Sequence, residues 1–322
     1  IRPSTGAFIR DTRPVSRTNK VIGVLGMLRD TKKTDELVAI EEQAAESGYY
    51  VLNVEHCRKL FRHKPNVLLE LPVDGLIFTN SVLTPEIAQS LNQNQVPFVA
   101  VNRVSDPPDI HWVDYDHQKA HQQILTHLLD LGHRRMAYVA FRPRLEEHDL
   151  RIRQAHREVL EPLGLLDSFT YVTDADMTEY DTRYGEYGQQ IYGMEKASYL
   201  MRLNPRPTAV IVCGQEAAHG FCIQAQSMGL TIPADVSVVA KGNRQHKMET
   251  EAFLTMIGGG VGLKAKRAVD ILLKVINSPN IPPVQQLIDM DVVIRRSTGP
   301  SPDKERGQVN PPSSSLGSSS NR

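Results

Sequence analysis

The sequence predicts an α/β protein made of two doubly wound parallel sheets. Apolar runs of about five residues, typical of buried strands, alternate with amphipathic segments of about twelve residues that have helical spacing. This alternation occurs twice along the chain. At 322 residues, the chain is too long for one ordinary compact domain and long enough for two.

The first run of elements covers residues 21–113. Val21–Leu28 is an apolar segment of the buried-strand type, and Asp35–Ser47 has apolar residues at helical spacing and stops at Gly48. Thr84-Pro85 is typical of a helix N-cap followed by its first residue. Further strands are predicted at Tyr50–Val54, Gly75–Thr79, Val96–Val101 and His111–Val113.

The second run repeats the pattern and favours parallel sheets that are covered on both faces. Helices are predicted at Asp116–Leu131, Glu147–Leu163, Gln190–Leu203, Glu216–Met228 and Gly262–Ile276. Strands are predicted at Met136–Phe141, Phe169–Val172, Thr208–Cys213, Val236–Ala240 and Phe253–Ile257, with a final extended stretch at Gln285–Ile294. Because ligands bind outside the carboxyl ends of such strands, the candidate site lies in the loops 28–34, 102–106, 141–149, 213–216, 241–247 and 258–262.

Composition excludes several classes of protein. Forty per cent of residues are hydrophobic and 23% are charged, so the chain can bury a core. Basic and acidic residues both number 37, so there is no overall charge bias toward nucleic acid or membrane. No apolar run reaches the roughly 20 residues of a membrane span, and no signal peptide is apparent. Cys57, Cys213 and Cys222 predict reduced thiols in a cytoplasmic protein.

Several stretches, taken in order over roughly residues 22–298, resemble the effector domains of LacI/GalR regulators. They are Val73–Phe78, Val96–Arg103, Leu131–Ala137, Pro207–Val210, Asp235–Val239 and Arg296–Thr298. The resemblance implies a type I periplasmic-binding-protein-like fold with two subdomains joined by three crossovers. It divides the chain into 21–113 plus 243–276 and 114–242 plus 277–299. Residues 300–322 are rich in Ser, Pro, Gly and Asn and have almost nothing to bury, so their composition predicts a disordered tail.

The resemblance also implies a function. The chain is expected to be the effector-binding and dimerisation domain of a bacterial transcriptional regulator, a repressor, that acts as a homodimer. A small carbohydrate-like effector would bind in the cleft between the subdomains. The alternative is a solute-binding protein of a sugar transport system. An enzyme is not expected, because no GxSxG, HExxH or CxxC motif occurs, and neither a cofactor nor a metal is predicted.

Residues 1–20 are expected to carry the remnant of a DNA-binding wing and a linker. The segment Arg2–Ile9 resembles the closing strand of the winged-helix domain in GntR regulators, with Gly6 at a tight turn and basic residues available for phosphate. A LacI-type hinge helix and an unstructured basic linker are the competing interpretations. Because the chain starts at Ile1, we expect the helices that read DNA to lie upstream.

The resemblance assigns candidate ligand-binding residues, of which Arg153 is the strongest, because a guanidinium fork suits hydroxyls, carboxylates and phosphates. A surface arginine is the competing interpretation. The other candidates are Asn102, Arg103, Gln215, Asn243, Lys241 and Asp30. Gly242 stands where the family has an acidic sugar anchor, and Lys32, Lys33 and Lys241 add positive charge. These departures favour an anionic, carbohydrate-like effector over a plain aldose.

Two further patterns have modest interpretations. The glycines of Gly258–Gly262 lack the phosphate-loop spacing and are predicted to widen the pocket wall, with a capacity to bind anions. His117 and His121 are four residues apart, but two histidines without a third ligand do not predict a metal site. They are expected on an exposed helix face.

Overall fold

A computed structural model describes residues 19–26, 28–29, 32–33, 35–54, 65–79, 83–103, 109–141, 146–242, 253–260 and 262–303. The chain divides into two units. The first comprises Ile1–Val113 and Ala265–Gln285, and the second comprises Asp114–Lys264 and Gln286–Arg322. The chain therefore passes between the units three times, as the predicted fold requires.

The first unit is a parallel sheet flanked by helices. Its strands are β1 (Val21–Leu25), β4 (Tyr50–Asn53), β5 (Gly75–Thr79), β6 (Phe98–Val101), β7 (Trp112–Tyr115) and β13 (Gln285–Ile288), in the order β13-β7-β6-β5-β1-β4. A short ribbon pairs β2 (Leu28–Arg29) with β3 (Lys32–Lys33). Its helices are α1 (Asp35–Glu46), α2 (Pro85–Gln93) and the helix that begins at Leu263, numbered below as α8.

Local sequence explains these elements. Thr84 caps α2 by accepting a hydrogen bond from the Ile87 amide, and Pro85 occupies the first turn. All five residues of β5 are buried. At its start, a Cβ on Gly75 would lie 2.8 Å from Leu272 Cδ1 and 3.1 Å from Pro97 O, so glycine favours the close approach of helix and sheet here.

The second unit repeats the layered arrangement. Its strands are β8 (Met136–Val139), β9 (Phe169–Val172), β10 (Ala209–Cys213), β11 (Ser237–Lys241), β12 (Thr255–Gly258) and β14 (Asp291–Val293), in the order β14-β12-β11-β10-β8-β9. Only β14 is antiparallel to its neighbour in this sheet. Its helices are α3 (His117–Asp130), α4 (Glu146–Leu160), α5 (Met177–Tyr184), α6 (Gly188–Leu200) and α7 (Gln215–Ser227), and α8 is Leu263–Asn277.

The segment boundaries differ from those predicted. Residues 243–276 were expected in the first subdomain, but β12 pairs with β11 in the second sheet, with Ala240 opposite Met256. The chain passes from the second unit to the first after Lys264, one strand later than predicted, because the buried strand β12 belongs to the second sheet. The expected single stretch Gln285–Ile294 is two strands, β13 and β14, in different sheets.

The start of the tail packs on the second unit. The segment from Pro300 onward was expected to be disordered, yet Ser301 is fully buried and its amide donates to Leu131 O at 2.9 Å. Asp303 Oδ2 lies 2.9 Å from Arg135 Nη2. Composition missed this because a serine and an aspartate bury little apolar surface and are held by hydrogen bonds. Residues 304–322 lie outside the described residues.

Candidate functional site

Polar side chains gather at the carboxyl edge of the second sheet. His117 begins α3, directly after β7, and Lys241 is the last residue of β11. Helix α4 follows β8 and carries His148 and His156. Because parallel strands end at the same edge, these connections bring the side chains together. We call His117, His121, His148, His156 and Lys241 the histidine–lysine cluster.

The outer part of the cluster is a chain of close contacts. Lys241 Nζ lies 3.5 Å from His148 Nε2. The His148 and His117 rings meet edge to face with centroids 4.5 Å apart. His117 Nε2 lies 3.7 Å from Asp114 Oδ1, and Lys264 Nζ lies 3.8 Å from the same oxygen. Positive and imidazole groups therefore surround one buried carboxylate.

The inner part is fully buried. His156 Nε2 and His121 Nδ1 are 2.9 Å apart, and His156 Nδ1 lies 3.0 Å from the Tyr171 hydroxyl. These contacts form a hydrogen-bonded series from Tyr171 through His156 to His121. Whichever atoms are the donors, Nε2 of His121 is the last atom of the series. Among the described residues, neither His121 Nε2 nor His117 Nδ1 has a hydrogen-bond partner. Such buried, unmatched polar atoms are unusual in native proteins and mark a place where a ligand or water completes the network.

Arg153 is held in place beside the cluster. Its Nε donates to Asp149 Oδ2 at 2.5 Å, and Nη2 donates to Thr173 Oγ1 at 3.1 Å. Its guanidinium lies over the Tyr171 ring at 4.3 Å from the centroid. About a third of the side chain stays exposed. A fixed, partly exposed guanidinium is suited to binding a ligand with little further loss of side-chain entropy.

Burial and positive charge keep the imidazoles neutral. Desolvation, and next the Lys241 ammonium, lower the pKa of His148 to about 4 and that of His156 to about 3. The same two causes bring the pKa of His117 and His121 well below the usual value. Burial also lowers the pKa of Lys241.

Cys213 borders the cluster. It pairs with Lys241 in the strand register, and its Sγ lies 3.1 Å from the Tyr138 hydroxyl. Burial raises the pKa of the Cys213 thiol, so the thiolate is disfavoured. Cys213 and Cys222 are both free thiols, as predicted, and Cys57 lies outside the described residues.

The predicted ligand residues fall into three groups. Arg153, Lys241 and Gln215 belong to the carboxyl edge of the second sheet, where Gln215 is buried at the start of α7. Asn102 and Arg103 follow β6 in the first unit, and Arg103 lies over the Trp112 ring at 5.6 Å. Asn102 has a φ of 127°. Asp30 and Asn243 lie outside the described residues, and the side chains of Lys32 and Lys33 do as well.

The prediction that His117 and His121 lie on an exposed helix face is wrong. His121 is completely buried, and the His117 side chain is only 17% exposed. The sequence held a signal for this, because His121 falls on the apolar stripe of α3 that contains Ala120, Ile124 and Leu125. His156 carried the same signal, because it lies between the buried Ile152 and Leu160 on the apolar stripe of α4. His148 carried no comparable signal, since its partners come from distant segments.

The glycine run needs a partial correction. A Cβ on Gly259 would lie 2.2 Å from the Tyr115 ring, and the Tyr115 hydroxyl donates to Gly260 O at 2.7 Å. Gly259 therefore makes room for an aromatic ring and does not widen a pocket. Within the described parts of the chain, no three His, Cys, Asp or Glu side chains are placed to share a metal ion.

Comparison with known proteins agrees with this architecture. Residues 125–298 match the family model of the periplasmic binding protein-like domain. The chain belongs to this family. A crystal structure of a LacI family transcriptional regulator from Enterococcus faecium with bound ribose has a TM-score of 0.67 at 18% identity, covering 87% of this chain and 99% of that one. This likeness shows that the family fold extends over both units.

Two curated relatives of the family domain are transcriptional regulators. Catabolite control protein A of Priestia megaterium is 28% identical over 198 residues, covering 61% of this chain and 55% of that protein. The HTH-type transcriptional repressor CytR of Escherichia coli strain K12 is 23% identical over 261 residues, covering 80% of this chain and 73% of that protein. The match thus spans about half the length of the first relative. These relatives favour a regulator over a transport protein or an enzyme. In the described part of the chain, no helix is long and apolar enough to cross a membrane.

Proposed function

We propose that the chain is the effector-binding and dimerisation part of a bacterial transcriptional repressor. The observation that carries the proposal is the histidine–lysine cluster at the carboxyl edge of a sheet. The two relatives of this chain named above are transcriptional regulators. Such an edge is the usual ligand position in doubly wound sheets. The effector is a small carbohydrate-like molecule, and Arg153 with Gln215 and Lys241 contacts it.

Effector binding regulates DNA through a second state of the protein. A ligand shifts an equilibrium only by its different affinity for the two states. The dimer, the cytoplasmic location and the ligand contacts of Asn102, Arg103, Asp30 and Asn243 belong to the same proposal. The ribose in the Enterococcus faecium regulator supports a sugar-sized ligand.

The binding test is a thermal-shift screen of this chain with neutral sugars, sugar phosphates and uronic acids, followed by calorimetry on the best ligand. Arg153→Ala should weaken binding about tenfold or more, because it removes a charge-assisted hydrogen bond. Arg157→Ala is the matched control, since Arg157 lies one turn further on α4 and is 57% exposed. Equal affinity of both variants and the wild type would refute the assignment of Arg153.

The DNA-binding part is a separate question. The GntR-type wing at residues 2–9 lies outside the described residues and stays a prediction, and similarity to an HTH-type repressor does not distinguish it from a LacI-type hinge. With a net charge of zero, we expect this chain not to bind duplex DNA specifically. A gel shift at physiological salt checks this, and sequencing upstream of Ile1 would test whether a DNA-binding domain precedes the chain and of which type.

A further inference from the structure

Among the described residues, positive charge exceeds negative charge around the cluster. The cations are Arg151, Arg153, Lys241 and Lys264, and the carboxylates are Asp114 and Asp149. Both carboxylates are engaged: Asp149 accepts from Arg153, and Asp114 accepts from the Tyr115 amide at 2.8 Å and lies near Lys264 and His117.

The ammonium of Lys241 has weaker contact with these carboxylates than Arg153 and Lys264 have. The closest contact described for its ammonium is the imidazole of His148, at 3.5 Å. A buried ammonium gains little from a neutral imidazole and much from an anion within hydrogen-bond distance. Its two charged neighbours of opposite sign, Asp114 and Asp149, act on it only from a distance.

The same positive charges lower the pKa values of the neighbouring imidazoles. Burial, followed by the positive charges of Lys241, Arg151 and Lys264, lowers the pKa of His148 to about 4, while Asp114 opposes the shift. Lys241, His148, Lys264 and His121 also lower the pKa of His117, whose Nε2 lies 3.7 Å from Asp114 Oδ1. An anion that neutralises Lys241 would remove a main cause of the low pKa values.

We propose that the effector carries an anionic group, a carboxylate or a phosphate, that binds to Lys241 and draws a proton onto the neighbouring imidazoles of His148 and His117. This inference rests on the proposed function and narrows its ligand class. Proton uptake turns each imidazole into a double donor. Nδ1 of His117, which has no partner among the described residues, then donates to the anion. Affinity for the anionic effector therefore rises as the pH falls.

The first test compares matched ligands: ribose with ribose 5-phosphate, and glucose with glucuronate, with inorganic phosphate and acetate as sugar-free anions. We expect an anionic member to stabilise the wild type in thermal shift, and Lys241→Met to weaken its binding about tenfold to a hundredfold. Lys274→Met, at an exposed position of α8, is the matched control. If no anionic ligand binds, or if Lys241→Met binds it as the wild type does, the inference is wrong.

The second test measures the number of protons taken up when the anion binds. Calorimetry of the bound anion in buffers of different ionisation enthalpy should show net proton uptake, with affinity increasing from about pH 8 to about pH 6. His148→Gln should reduce the uptake, whereas His219→Gln on α7 should not; the pKa values of these histidines in the free and bound protein follow from NMR titration. Uptake that is absent, or unchanged in His148→Gln, would contradict the role of the imidazoles.

The outcomes separate this inference from the proposed function. Binding of a neutral sugar that Arg153→Ala weakens, without binding of any anion, would keep the effector domain and reject the anionic ligand. Binding of inorganic phosphate and ribose 5-phosphate with equal affinity would show that the anion alone is recognised, and would argue against a carbohydrate effector. The absence of binding by any ligand, neutral or anionic, counts against both proposals.

Discussion

The second unit has buried histidines at both edges of its sheet, and the two edges differ in how their hydrogen bonds are completed. At the amino edge, His133 Nδ1 lies 2.9 Å from Thr208 Oγ1, and Nε2 lies 3.0 Å from Ser237 Oγ and 3.1 Å from Gly299 O. At the carboxyl edge, His121 Nε2 and His117 Nδ1 have no partner among the described residues.

The difference indicates a structural role for His133, and it makes His117 and His121 the candidates for contact with the proposed ligand. A carbonyl oxygen only accepts, so Nε2 of His133 carries the proton and both ring nitrogens are used. The residues that hold this ring also hold the end of the domain, because the Gly299 amide donates to Ser237 Oγ and the Thr255 amide donates to Ser297 Oγ. The carboxyl edge instead keeps unmatched polar atoms and a lysine, which a ligand can complete.

The largest effect is expected at the amino edge. His133→Ala should lower the free energy of unfolding by about 3 kcal/mol, because it opens a cavity and removes the hydrogen bonds of the ring to Thr208 Oγ1 and Gly299 O. Urea denaturation measures the change. His219→Ala, on a half-buried position of α7, is the control and should change stability far less. A loss below about 1 kcal/mol for His133→Ala would show that the amino-edge network is dispensable.

Acid should destabilise the protein through histidines at both edges. Burial lowers the pKa of His133 from 6.5 to about 4 and that of His156 to about 3. The unfolded chain then binds protons that the folded chain does not, so stability is full above about pH 6.5 and falls as the pH drops toward about 4. For His133 the loss is on the order of 3 kcal/mol. Denaturation curves from pH 8 to pH 4 check this, and His133→Gln should flatten the slope. A flat profile would contradict the low pKa values.

Lys241→Met should separate binding from stability. Removing a buried ammonium from among imidazoles should leave the free energy of unfolding unchanged or raise it by about 1 kcal/mol. It should also move the pKa of His148 back toward 6.5, because Lys241 is the largest charge effect on that ring. Denaturation and NMR titration of the histidines measure the two effects. A clearly destabilised variant would place Lys241 in the same structural class as His133.

The smallest effect concerns the tail, which extends the amino-edge network. Deleting residues 304–322 should leave the melting temperature unchanged, because this Ser- and Pro-rich segment has little to bury. Deleting residues 300–322 removes buried Ser301 and the Asp303–Arg135 ion pair as well and should cost about 1–2 kcal/mol. Comparing the two truncations by thermal denaturation isolates residues 300–303, and equal melting temperatures would show that their contacts add nothing.

The alternation of strands and helices, the two-unit fold and the resemblance to regulators can all be predicted from the sequence. These follow from signals that are local in the chain: apolar runs, helical spacing, and capping residues such as Thr84 and Gly48. Arg153 and Lys241 could also be singled out, because the resemblance to regulators assigns them as ligand-binding residues.

The identity of the residues that contact one another at this edge depends on the folded chain. His148 contacts Lys241 across 93 positions of the chain, and His121 contacts His156 across 35. The pairing of β12 in the second sheet and the burial of Ser301 likewise depend on contacts between distant segments. Each depends on hydrogen bonds between segments that are distant in sequence. His121 and His156 lie on apolar stripes of their helices, but a stripe does not show which polar partner a residue will meet. A buried polar residue is revealed by its partners, and the fold alone supplies those.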